Sequence, residues 1–170
     1  MSVVIREARH ADLDAILSIW LERPGADRGA DQAHLADYRR DFAERVGKHS
    51  ATFRFWVASN ADLCVGWSSL QRIRSSPSLK ETMAEWSVYV TAESRSKTVG
   101  RELAATAIAH ARHSDLEWIV GFVAQTNAPC LALFERCGFN QLVRFPTPTG
   151  NTMRPEVLVF ALDVSATKTP

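Results

Sequence analysis

Residues 84 to 102 read A-E-W-S-V-Y-V-T-A-E-S-R-S-K-T-V-G-R-E, and this stretch narrows the possible folds more than any other in the 170-residue chain. Trp86 to Val90 is a run of β-branched and aromatic residues, the mark of a strand. A short polar segment with two cations follows, Thr91 to Thr98. A helix then opens at about Val99 and Gly100 and continues through Leu103, Ala107 and His110. The N–H groups of such a turn have no partners of their own, and the helix dipole favours negative charge at its start. Arg95, Lys97 and Arg101 add full positive charge, and Gly100 brings no Cβ to obstruct a ligand. A strand that breaks into a basic turn and feeds a helix is therefore a ready anion site. Taken alone, the cations also suit an ordinary solvated surface.

These residues resemble a known family. Arg95-Ser96-Lys97-Thr98-Val99-Gly100 is similar to the Q/R-x-x-G-x-G/A segment with which GCN5-related N-acetyltransferases wrap the pyrophosphate of acetyl-CoA. Thr98 stands where the family usually has its first glycine. The wider run Glu85-Trp86-Ser87-Val88-Tyr89-Val90 is similar to the phosphinothricin and methionine sulfoximine acetyltransferase branch. A second match lies in Gln125 to Pro129 and Leu133-Phe134-Glu135-Arg136-Cys137-Gly138-Phe139, which resembles the family signature N-x-x-(x)-x-L-Y-E-K-x-G-F. The resemblance implies an α/β acyl-CoA N-acyltransferase fold: a mixed, mostly antiparallel seven-stranded sheet with helices on both faces.

Composition sets the outer bounds. The length suits a single domain over residues 1–164 with a frayed tail over 165–170. A formal net charge of +1 gives no strongly basic face for nucleic acid. No segment reaches the roughly 18 apolar residues of a membrane span, and no signal-peptide run opens the chain. The three cysteines, Cys64, Cys130 and Cys137, are an odd count without C-x-x-C spacing. Cys130 and Cys137 read as small buried hydrophobes on one helix face, and a reducing cytoplasm is the default. His10, His34, His49, His110 and His113 show no metal-ligand spacing, so no metal is expected.

The pattern along the chain predicts β-α-α-β-β-β-α before the central turn. Val3 to Ala8 reads as a strand, with Asp12 able to cap the helix of Leu13, Ile16, Leu17, Trp20 and Leu21. Pro24-Gly25 stops that helix, and 26–30 is a loop. A sparse apolar stripe, Leu35, Tyr38, Phe42 and Val46, marks a second helix from Asp31. Tyr38 reads as stripe packing; the resemblance implies, as the alternative, that it and the loop before it border the acceptor. Phe53 to Ser59 and Leu63 to Gln71 form a hairpin around Asn60-Ala61-Asp62, with Gly66 at a bulge. Leu79 to Val90 is the fourth strand. The apolar run from Leu116 to Val123 reads as a strand covered on both faces beside a parallel neighbour. A short helix from Asn127 follows, with Pro129 in its first turn and Gly138 just past its end. Gln141 to Phe145 and Pro155 to Leu162 are the last strands.

Acetyl transfer would distribute roles over these residues. The resemblance assigns Arg95, Ser96, Lys97, Thr98, Val99, Gly100 and Arg101 to the pyrophosphate. If the fourth and fifth strands splay after Val90, backbone groups of Val88, Tyr89 and Val90 hydrogen-bond the pantetheine arm. The Val90 N–H then faces the thioester oxygen. Asn127 caps its helix, bonds the arm, or does both. Glu85, in an otherwise apolar strand, is the candidate general base, its pKa raised by burial. The alternative is an edge glutamate in solvent or one paired with Arg72 or Arg74. Many relatives carry a tyrosine at Phe134 that protonates the leaving thiolate. Phe134 packs against the arm instead, and a thiol of pKa ~8.5 is already a tolerable leaving group. Arg72 and Arg74 suit a substrate carboxylate, or are plain surface arginines. The reading is an N-acetyltransferase acting from acetyl-CoA on a primary amine of a small, possibly amino-acid-like molecule. A homodimer is plausible by resemblance. The alternative is a non-catalytic acyl-CoA sensor, or a degenerate domain acting through a partner.

Overall fold

The computed structural model describes residues 3–23, 32–48, 50–61, 63–73, 82–94, 98–147 and 155–165. Seven strands form one sheet: β1 (Val4–Glu7), β2 (Arg54–Asn60), β3 (Leu63–Arg72), β4 (Met83–Val90), β5 (Trp118–Ala124), β6 (Asn140–Phe145) and β7 (Val157–Asp163). Their spatial order is β1-β2-β3-β4-β5-β7-β6. Every neighbouring pair is antiparallel except β4 with β5, which run parallel. Among the described residues four α-helices cover the sheet: α1 (Leu13–Leu21), α2 (Gln32–Gly47), α3 (Val99–Arg112) and α4 (Ala128–Arg136). The expected mixed sheet with helices on both faces is what the chain forms.

The two faces are built differently. On one, α3 buries Val99, Leu103, Ala104, Ala107, Ile108 and Ala111 against Trp56, Leu70, Ala84 and Trp86. Three alanines in that stripe let the helix axis approach the sheet closely. α4 joins this core through Phe134. On the other face, α1 and α2 pack Leu13, Ile16, Ile19, Phe42 and Val46 on Phe55, Val57 and Trp67. The Trp67 indole N–H donates to the Ile16 carbonyl at 3.1 Å and fixes α1 on the strands beneath it. Tyr38 meets Trp20 edge-on, ring centroids 4.7 Å apart, so it packs in the stripe.

Several expectations need correction. Asp12 does not cap α1 with its side chain. Its carboxylate accepts two bonds from the Arg6 guanidinium, at 2.8 and 2.7 Å, and one from the Arg9 N–H. The bond to Arg6, with smaller help from that N–H and nearby charge, holds the carboxyl below its usual range against the cost of burial. It thereby ties β1 to the turn before α1. The hairpin bulge lies beside Gly66, since Ala58 pairs with Gly66 but Ser59 with Cys64, leaving Val65 over. A Cβ on Gly66 would stand 2.9 Å from the Tyr89 carbonyl oxygen, which explains the glycine. β5 is not covered on both faces. Val120 is buried on the second face with Val159 and Ala161, but Trp118 and Phe122 on either side of it are exposed, because α1 and α2 pack on β1 to β4 and not over them. Pro24-Gly25, Ala26 to Ala30, Asp31, Asp62 and the 166–170 tail lie outside the described residues.

Candidate active site

Strands β4 and β5 pair over three rungs only: Met83 with Trp118, Ala84 with Ile119 and Glu85 with Val120. Beyond Glu85, β4 stays on β3 as far as the Val90–Gly66 pair, while β5 stays on β7 to the Ala124–Val157 pair. The strands therefore part five residues earlier than the expected break after Val90. The Thr91 N–H donates to the Val65 carbonyl at 3.0 Å. Main-chain groups alternate in direction along an antiparallel strand, so those of Tyr89 also point toward β3. Those of Val88 and Val90 face the gap. Tyr89 thus contributes a side chain to the site, not the free backbone expected of it.

The gap opens into a cavity of about 680 Å3, well within the size range of small-molecule sites. Val88, Tyr89, Val90, Thr98, Gly100, Arg101 and Asn127 line it, all of them sequence-predicted. At one end lies the start of α3. Thr98 has φ −74° and ψ −8°, an allowed helical conformation, so the missing glycine causes no strain. The first helical bond runs from the Glu102 N–H to the Thr98 carbonyl at 3.0 Å. The N–H groups of Val99, Gly100 and Arg101 precede it and have no intrahelical acceptor. The Val99 side chain is buried in the core, so only its backbone can serve a ligand. A Cβ on Gly100 would meet Leu133 Cδ2 at an ordinary 3.7 Å. The protein's own packing does not demand glycine there. The Thr98 hydroxyl donates to Glu102 Oε1 at 2.7 Å, turning that carboxylate along the helix. Arg95, Ser96 and Lys97 lie outside the described residues.

Helix α4 forms the opposite wall. Asn127 accepts from the Cys130 N–H at 3.3 Å through Oδ1, a true N-cap, and its amide NH2 remains for a ligand. Cys130 also faces the cavity, and burial pushes its thiol up to about 11, so it is inert as a nucleophile.

Phe134 does not line the cavity as expected. It is 2 % exposed, and its ring lies 4.7 Å from that of Trp86 and 4.7 Å from that of Phe139. Its edge fills the space beside Gly121, where an added Cβ would come within 2.4 Å of Cε1. Trp86 and Gly121 are the first residues of β4 and β5 past the last shared rung. The ring therefore sits at the crotch of the fork, as a wedge behind the arm slot.

Glu85 occupies the last rung before the fork, paired with Gln71 on one side and Val120 on the other. It is exposed, and the expected burial is absent because the α1–α2 layer does not extend over it. Strand alternation places its side chain on the same face as that of Tyr89. Arg72 is not at this cleft. Its guanidinium lies 5.1 Å from the Phe53 ring, and it lines a separate hollow with Arg54 and Lys48. It ends β3 opposite Ala84, on the face away from Glu85. Arg74 lies outside the described residues.

Sequence reasoning missed Ile19, Arg23, Leu133 and Arg136, which also line the cavity. Leu133 and Arg136 stood in the recognised segment beside Phe134, and their i+4 and i+7 spacing from Pro129, which also lines the cavity, could have exposed them. Among the described residues, no helix is long and apolar enough to cross a membrane, and no His, Cys, Asp and Glu cluster fits a metal.

The acetyltransferase (GNAT) domain profile matches residues 2–140. The chain belongs to this family. It is an acetyl-CoA-dependent N-acetyltransferase by that membership. Among curated proteins, it is 28 % identical over 145 residues to "Putative phosphinothricin acetyltransferase YwnH" of Bacillus subtilis (strain 168), covering 85 % of this chain and 88 % of that one. Solved structures share the fold. A phosphinothricin acetyltransferase (Pat) of Sinorhizobium meliloti in complex with AcCoA superposes with TM-score 0.79 at 18 % identity, covering 100 % of this chain and 94 % of its own. A ribosomal-protein-alanine N-acetyltransferase of Brucella melitensis gives 0.78 at 24 %, covering 94 % and 99 %. The acetyltransferase thus shares its frame with proteins named for quite different acceptors, and its acceptor must be argued from its own residues.

Proposed function

We propose that this acetyltransferase moves the acetyl group of acetyl-CoA directly to the primary amine of a small, amino-acid-like molecule held in the same cleft. The observation that carries this reading is the fork: three rungs, then open Val88 and Val90 amides facing a cavity that ends at a helix start with an arginine. The bound thioester supplies an activated carbonyl carbon. Val88 and Val90 hold the arm as a partner strand would, and the Val90 N–H takes the charge that develops on the carbonyl oxygen. The free N–H groups at Gly100 and Arg101, with the Arg101 cation, hold the pyrophosphate. Asn127 steadies the arm from α4.

Glu85 receives the proton of the acceptor ammonium. About four strand residues, roughly 13 Å of backbone, separate it from Tyr89 beside the arm. It therefore acts through intervening water. The neutral amine attacks the carbonyl carbon, a C–N bond forms, the C–S bond breaks, and the sulfur leaves as thiolate. The nitrogen gives up its extra proton as the amide forms, and water relays that proton to the sulfur, because Phe134 offers no hydroxyl and is turned into the core.

The acetyltransferase acts in this reading as a cytoplasmic homodimer. Its free cysteines suit a reducing compartment. The sheet face on which Phe122, Val143 and Phe145 stand exposed around the buried Val120 and Val159 suits a second copy. The test is to mix the protein with acetyl-CoA and a panel of amino acids and polyamines, and to follow free thiol. Acceptor-dependent thiol release is expected. Tight acetyl-CoA binding without release for any amine would instead favour a coenzyme sensor.

A further inference from the structure

We infer that Arg23 binds an acid group of the acceptor, so that the acetyltransferase selects amines carrying a carboxylate close to the reacting nitrogen. This rests on the transfer reading above and adds the residue that chooses the substrate.

Arg23 follows Glu22, the C-cap of α1, and lines the cavity beside Ile19 and Tyr89. Two contacts fix its head. Nη1 donates to the Trp20 carbonyl at 2.9 Å, and Cζ lies 3.2 Å from the centre of the Trp20 ring. Trp20 is in turn braced by Tyr38 and Phe42. A guanidinium carries five N–H donors, and among the described residues only one is used. Elsewhere in the structure Arg6, Arg39, Arg45 and Arg54 each meet a carboxylate. None of the ion pairs among the described residues involves Arg23. Its half-burial disfavours the charged form, with nearby Tyr89 and Tyr38 opposing that only in part. A fixed cation, partly removed from water and without a counter-ion among the described residues, is a site completed by an anion from outside.

The side of the sheet says which anion. Arg101 and the open helix start lie with α3, on the face that buries Val88 and Val90. Arg23 lies on the other face, with Tyr89 stacked on Trp67 at 4.6 Å and packed in the α1–α2 core. Glu85 projects from that same face by alternation. A phosphate held at the α3 start is served by Arg101. An anion at Arg23 belongs to the molecule that brings its amine past Glu85. The planar guanidinium suits two-point binding of a carboxylate, and the apolar wall of Ile19 takes an adjoining carbon chain.

The experiment uses full-length wild type, Arg23→Ala and Arg23→Lys, each checked by thermal unfolding. Thiol release is followed with acetyl-CoA and three acceptor sets: L-amino acids, their carboxamides, and the matching amines lacking the acid. Wild type is expected to favour the acids over the carboxamides. Arg23→Ala should raise the acceptor KM about tenfold or more, the size of a lost charged hydrogen bond. It should erase the preference and leave the acetyl-CoA KM within about twofold. Arg23→Lys should restore part of the preference. Equal use of acids and carboxamides by wild type overturns the inference and leaves acetyl transfer intact. So does a rise in the acetyl-CoA KM alone, which would put a coenzyme phosphate at Arg23. No thiol release with any amine sinks the transfer reading and this one with it.

Discussion

The ring of Phe134 occupies the space where a side chain on Gly121 would begin: a Cβ there would lie 2.4 Å from Cε1 and 2.5 Å from Cζ. A helix residue and a strand residue are thus matched in size, and the match sits where β4 and β5 separate. Gly121→Ala forces the ring out of its place between Trp86 and Phe160. Overpacking of this kind costs about 1–3 kcal/mol. Chemical denaturation should show that loss, and acetyl-CoA titration should show weaker binding as the fork deforms. The double variant Gly121→Ala, Phe134→Leu should recover part of both. Full acetyl-CoA affinity in Gly121→Ala would show that the ring does not shape the slot.

Arg101 gives a direct test of the phosphate end. Arg101→Ala should weaken acetyl-CoA binding about tenfold at low salt, with the difference shrinking as salt rises. Isothermal titration at two ionic strengths measures it. Equal affinities at low salt would remove Arg101 from the coenzyme site.

Glu85→Gln keeps the size of the side chain and removes its ability to take a proton. A fall in kcat of at least about 100-fold is expected, within the usual range for general-base catalysis. The loss should be greatest at low pH, where the acceptor amine arrives protonated. A pH–rate profile matching wild type would eliminate Glu85 from the mechanism.

His110 offers a test of stability. Burial lowers its pKa below the usual 6.5, opposed by its bond to the Thr52 carbonyl. The Nε2–H donates there at 3.2 Å, and the ring meets Trp56 edge-on at 5.2 Å. Above about pH 6.5 the imidazole is neutral whether the chain is folded or not. As pH falls below that value, the unfolded chain binds the proton first, and folding loses stability. Denaturant midpoints should therefore fall between pH 7 and pH 5 in wild type, and less steeply in His110→Gln. Parallel slopes would mean that other groups set the acid sensitivity.

The central strand, turn and helix were legible because each part carries its own local chemistry: β-branched residues in β4, polar residues in the turn, and alanine-rich spacing in α3. Six lining residues of the cavity were readable from there, and Asn127 from the start of α4. Arg23 was not, since nothing local distinguishes an arginine after a surface helix until that helix is laid over Tyr89. Phe134 was misplaced because an aromatic residue on α4 fits the arm slot and the core equally well by pattern. Gly121 held the missing signal. A glycine inside an apolar strand marks a close approach by something large, and that neighbour is Phe134. The fork was set too late because the strand-forming residues of β4 run on from Trp86 to Val90, where the strand stays paired with β3 after it has left β5. Arg72 was assigned to the cleft by nearness in sequence, whereas alternation turns it to the opposite face.

The three shared rungs between β4 and β5 also make the sheet two leaves sewn together along a short seam. One leaf is the four strands up to Val90, the other the three strands from Trp118 onward. Whatever lies between Val90 and Ala124 and bonds to both margins lengthens the stitching. Each round of turnover would then tighten the seam on filling and loosen it on release, so the rigidity of the whole protein would follow the occupancy of its gap.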